Sequence, residues 1–190
     1  MNGNDIEQRT LESQVRGDIL AAIDSFDIIK LFIDPLYKKS DDHYRNRDRP
    51  LSRVILRSAV ESTVSSLSRL LQPDARENEC TLIKYKNLAF KNLRDREYIK
   101  STKRKIKKFQ NNIIPIRNKI LSHSDMSIDL DNSESILPML SECIDFVEEL
   151  HHTCCSKLNN ADFIISRDQF NEVAENWING LLERQKRKVK

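Results

Sequence analysis

Apolar residues return every three to four positions through most of this chain, the spacing that lines one face of an α-helix. Between Ile6 and Ile33 the stripe is Val15, Ile19, Ala22, Ile23, Phe26 and Ile33, and Pro35 is expected to stop that helix because the residue before a proline is pushed out of helical geometry. Residues 35–50, PLYKKSDDHYRNRDRP, have charge but no apolar period and read as an exposed connection. Pro50 suits the first turn of a second helix, whose stripe of Val54, Ile55, Ala59, Val60, Val64, Leu67 and Leu71 runs to Pro73. Segment 81–93, TLIKYKNLAFKNL, reads as a short helix docked on the rest.

From residue 95 to 125, Tyr98, Ile99, Ile106, Phe109, Ile113, Ile116, Ile120 and Leu121 supply a buried face, while lysines cover the remainder. Pro115 is expected to kink or divide this helix. After a polar run, Ile136, Leu140, Ile144, Val147, Leu150, Cys154 and Leu158 predict a further long helix. Ser166 and Gln169 make a capping box that opens a last helix through Phe170, Val173, Trp177, Ile178 and Leu181. The basic tail 184–190 has no apolar face to bury and reads as solvated.

Composition sharpens this to an all-α protein, since only three glycines and five prolines interrupt the 190 residues and sheets with many tight turns need more. The length fits one domain, residues 1–190. The N-terminus has no apolar signal core, and no stretch approaches the roughly 18 apolar residues of a membrane span, so a cytoplasmic protein without membrane contact is expected. In that compartment Cys80, Cys143, Cys154 and Cys155 read as reduced thiols. Total charge says little: 32 basic residues against 29 acidic ones leave +3.

Its distribution says more. Between Arg94 and Lys119 stand ten basic residues, among them Lys103, Arg104, Lys107 and Lys108, against Asp95 and Glu97 alone. Such a helix can bind a polyanion by neutralising phosphates, or it can be a solvated surface. Arg117 precedes His123 by six residues at the end of this helix. A guanidinium forks onto phosphate oxygens, and an imidazole exchanges protons near neutral pH. Metal-free cleavage of RNA requires those two functions: moving protons between the 2′-hydroxyl and the leaving oxygen, and stabilising charge on phosphorus. Six residues at roughly 100° each set the two side chains about 120° apart on a continuous helix. The helix therefore ends before His123, or a second chain across a two-fold axis completes the site.

The segment IRNKILSHSD, residues 116–125, resembles the Arg-x(4–6)-His motif of the HEPN superfamily, with a polar residue directly after the arginine. Residues 54–88 are similar to the region upstream of that motif in the abortive-infection branch, where an arginine-bearing helix ends in a Ser-Arg-Leu-Leu-like run before a Ser/Thr-Leu segment. The resemblance spans residues 50–125. It implies an up-and-down helical bundle of four to five long helices, a homodimer that apposes two motifs, and metal-independent endoribonuclease activity in antiviral defence, abortive infection or a toxin–antitoxin pair. By that carry-over Arg117 contacts phosphate, His123 serves proton transfer or charge stabilisation, and Asn118 orients the pair. No metal or cofactor is implied; RNA and a cognate antitoxin or defence-operon protein are the implied partners. The other outcome is a non-catalytic HEPN-like module that binds RNA or a partner protein.

Other features have simpler readings. His151 with Cys154 or Cys155 has a spacing that can share zinc, but a structural site needs four ligands, with Cys143 or Cys80 from afar, and Cys154 falls on the apolar stripe. Trp177 sits on the last helix's stripe and reads as packing. Arg53 and Arg57 stand one turn apart with Glu61 beyond, a surface ladder unless that face borders the basic helix and extends a phosphate groove; Lys119 adds to the same set. Tyr44, Arg45, Arg47 and Arg49 mix an aromatic with cations as single-strand binders do, and equally suit a soluble loop.

Overall fold

The computed structural model describes residues 3–38, 49–73, 80–91, 96–122, 133–159 and 165. They form five helices, α1 (Gly3–Lys38), α2 (Arg49–Leu70), α3 (Leu82–Ala89), α4 (Arg96–Ser122) and α5 (Ser133–Lys157), with no strand among the described residues. His123, residues 39–48 with Tyr44, Arg45 and Arg47, the expected last helix from Ser166 with Trp177, and the tail 184–190 lie outside the described residues. So do the side chains of Ile33, Arg49, Arg53 and Leu121.

Four helices alternate in direction, and side-chain pairs fix the alternation. Ser25 donates to Ser62 at 2.8 Å and Arg69 pairs with Asp18 at 2.6 Å, so α2 returns along α1. Lys108 pairs with Glu142 at 2.8 Å and Phe109 stacks on Phe146 with centroids 5.3 Å apart. Towards the other end of this pair, Lys103 bears on Lys86, which in turn lies by Cys154. Moving back along α4 thus moves forward along α5, and the two are antiparallel. Arg16 lies near His151, and Glu12 near Cys155, so α5 also runs against α1. The result is an up-and-down bundle of α1, α2, α4 and α5.

Each helix buries its apolar stripe in one shared core. Val15, Ile19, Ala22 and Phe26 of α1 meet Leu67 and Leu70 of α2, Phe109 and Ile113 of α4, and Leu140, Val147 and Leu150 of α5. At about 1.5–3 kcal/mol per buried side chain, this stripe rather than intrinsic propensity holds the helices. The short α3 starts at Thr81, whose hydroxyl accepts from the Lys84 N–H at 3.2 Å, satisfying one orphan donor of the first turn. Leu82 and Tyr85 then plug the gap between α1 and α5.

Three expectations need correction. Pro35 does not stop α1, which continues to Lys38; a proline keeps a helical φ itself, and near the end of a helix it removes one hydrogen bond rather than the whole ladder. The connection expected over 35–50 is correspondingly shorter, since residues 35–38 and 49–50 are helical. In α2 the phase is shifted: Val54 is 60% exposed and Leu56, absent from the expected stripe, is 4% exposed. Of the two outcomes expected at Pro115, a kink or a division, division does not occur, since α4 is one helix from Arg96 to Ser122. Both Pro115 and Asn111, whose carbonyl loses its partner, are exposed, so that carbonyl is not left unsatisfied in the core.

Candidate nucleic-acid interface

The candidate site lies on α4, where sequence separates faces sharply. Ile106, Phe109 and Ile113 turn inward, while Lys100, Lys103, Arg104, Lys105, Lys107, Lys108, Asn118 and Lys119 are exposed. Arg117, one turn beyond fully buried Ile113, is half-buried on the shoulder of the helix. Asn118 follows it onto the exposed face. The described helix runs to Ser122, and His123 lies outside the described residues.

The exposed cations are not equivalent. Lys108 pairs with Glu142 of α5 and lies over the Phe109 ring at 5.4 Å, and Lys105 lies over the Phe146 ring at 5.6 Å. Those two belong to the edge facing α5. Lys100, Lys103 and Lys107 follow at three and four residues on the other edge. There α4 meets α3: Phe90 stacks on Tyr98 with centroids 5.1 Å apart, and Lys103 opposes the charge of Lys86. Lys86 is itself buried, and burial first, then Lys103, pulls its ammonium below the ordinary lysine value. Sequence reasoning passes over α3 as a docking segment, although LIKYKNLAFK holds three lysines and no carboxylate.

Arg57 donates to Glu61 at 2.8 Å, the surface ladder expected from their spacing, worth a few tenths of a kcal/mol, on the order of 0.3–0.5, at such exposure. The Gln110 side chain donates to the Leu71 carbonyl. With α2 and α4 antiparallel, that bond sets their register and carries the start of α2 to the same end of the bundle as Arg117. Arg57 and Arg117 thus share one end, while the α3–α4 junction occupies the other.

A second polar cluster is sealed inside. Tyr85 Oη lies 3.5 Å from Cys155 Sγ, which lies 3.6 Å from His151 Nε2, and Gln8 donates to Glu12 at 2.9 Å beside them. His151 and Glu12 are fully buried. Burial, then His152 and Arg16, lower the His151 pKa to about 4, and burial pushes the thiols of Cys143 and Cys154 up to about 12. A neutral imidazole and protonated thiols without access to solvent offer neither a nucleophile nor a proton relay; they fill space in the core. His151 faces Cys155, whereas Cys154 lies towards Lys86, and among the described residues no three His, Cys, Asp or Glu side chains converge as a metal site would require. No described helix is long and apolar enough to cross a membrane.

No protein-family model, curated protein or solved structure matches the chain.

Proposed function

We propose that this chain is a metal-independent endoribonuclease of HEPN type, cleaving RNA in an antiviral, abortive-infection or toxin–antitoxin setting. The observation that carries the reading is the placement of Arg117: half-buried on the shoulder of α4, whose exposed charged residues beyond Glu97 are all basic, and six residues before His123 in the chain.

In this reading Arg117 forks onto the non-bridging oxygens of the scissile phosphate. His123 takes the proton of the 2′-hydroxyl, whose oxygen then attacks phosphorus. The 5′-oxygen leaves with a proton, giving a 2′,3′-cyclic phosphate and a 5′-hydroxyl. A homodimer brings two such motifs to one phosphodiester, so that one imidazole starts as base and the other as acid. Asn118 orients the pair, and Lys103, Arg104, Lys107, Lys108 and Lys119 contact flanking phosphates.

The test is cleavage of mixed RNA in EDTA by wild type, Arg117→Ala and His123→Ala, with mass recorded in solution. Loss of a proton-transfer group removes about 10²–10⁴-fold in rate. Unchanged cleavage by His123→Ala refutes the reading. Binding without turnover in the wild type supports the alternative, a non-catalytic RNA-binding or protein-interaction module, which the exposed lysines serve without any help from His123.

A further inference from the structure

We infer that the junction of α3 with the first half of α4 is a separate anchoring site for single-stranded RNA, remote from Arg117; the inference rests on RNA being the ligand of α4. Phe90 stacks on Tyr98 across this junction with centroids 5.1 Å apart, and Lys103 lies near enough to Lys86 for the two charges to repel. Residues 82–91 and 98–122 contain no carboxylate, so Glu97 in the first turn, one turn before Lys100, is the single carboxylate that α3 and α4 supply. A phosphate backbone seated there relieves the repulsion and gains contacts with Lys100, Lys103 and Lys107 together. The opposite edge of α4 is closed to a polyanion by α5, whose Glu142, Asp145 and Glu149 are exposed. The strand is thereby steered along the α3 side.

From Lys103 the same edge continues through Gln110 and Ile114, at helical spacing, to Arg117. Fourteen residues at 1.5 Å each separate anchor and arginine by about 21 Å. At about 3.4 Å per nucleotide of a stacked strand, that is roughly six nucleotides. An RNA must therefore reach about six nucleotides to one side of Arg117 to occupy both places, and shorter oligonucleotides engage only one. The anchor gives the protein a length threshold without reading sequence.

The experiment measures binding of single-stranded RNAs of about 4 and about 12 nucleotides across a salt series in EDTA. It uses wild type, Lys103→Gln/Lys107→Gln, and Arg9→Gln/Lys105→Gln, the last removing equal charge elsewhere; circular dichroism confirms folding. Each lost phosphate contact lowers the salt slope by about 0.7, so the anchor variant loses about 1.4 in slope and binds the longer RNA about 25-fold more weakly at ~0.1 M salt. Its preference for the longer RNA disappears, while the control variant keeps both slope and preference. Equal losses in the two variants, or no length preference in wild type, overturn the anchor. A wild type that binds neither RNA overturns the RNA reading, and the anchor with it.

Discussion

Acidification from about pH 7 to about pH 5 is expected to cost this fold about 2 kcal/mol through one side chain, His151. The imidazole is fully buried, 3.6 Å from the Cys155 sulfur and with its ring 5.7 Å from that of Tyr85. Burial, then His152 and Arg16, hold its pKa near 4 rather than the usual 6.5. The folded state thus binds fewer protons than the unfolded one, so the contribution is present in full above about pH 6.5 and is lost as pH falls towards about 4. The whole lowering is worth about 3.4 kcal/mol at about 1.36 kcal/mol per pH unit. At about pH 5 the unfolded imidazole is nearly all charged and the folded one about a tenth charged, which accounts for about 2 kcal/mol. Urea unfolding followed by far-ultraviolet circular dichroism at the two pH values gives the wild-type loss. His151→Leu keeps a similar volume and cannot titrate, so its loss over the same interval should be smaller by about 2 kcal/mol. Carboxylates titrating in this range act on both proteins alike. If His151→Leu weakens as much as wild type, the buried-imidazole argument is wrong.

Two further outcomes concern the frame that presents the site. Phe109→Ala removes a ring that is 1% exposed and stacked on Phe146; it should cost about 3–5 kcal/mol in urea unfolding, and a cost below about 1 kcal/mol would mean that α4 is not seated as described. Thr81→Ala removes the hydroxyl that caps α3 and should cost about 1 kcal/mol, with hydrogen exchange rising at the amides of Lys84 and its neighbours rather than in α1.

Much of the bundle is legible in the sequence because burial of apolar side chains drives the packing of the helices and leaves its period along the chain. Val15, Ile19, Ala22, Ile23 and Phe26 stand out by spacing alone and are all buried. The start of α2 is misphased in such a reading because Val54 and Leu56 are equally apolar and both fit an approximate stripe; only the neighbouring helices decide between them. Pro35 misleads because a proline's cost depends on how many turns follow it, which a local pattern does not record. Buried Glu12 and His151 look like surface residues in sequence: Gln8 and Cys155, one turn away on their own helices, bond them, but the covering that buries them comes from other helices, such as the Tyr85 ring over His151. For the site, the basic face of α4 and the position of Arg117 near its end are readable, but the division of that face is not. That Lys105 and Lys108 engage α5 while Lys103 meets Lys86 depends on which helices flank α4, and that is a tertiary fact.

The antiparallel pairing of α1 with α5 has a consequence during synthesis. The α1–α2 hairpin can form once Leu71 has left the ribosome, yet the face that α1 turns to Leu150 stays uncovered for about eighty residues more. At about 5–20 residues per second that is roughly 4–16 s. Through this interval the nascent protein is a greasy two-helix intermediate, and mutations that loosen Ser25 from Ser62 or Arg69 from Asp18 should lower the yield of intact chains more than they lower the melting temperature of those that finish.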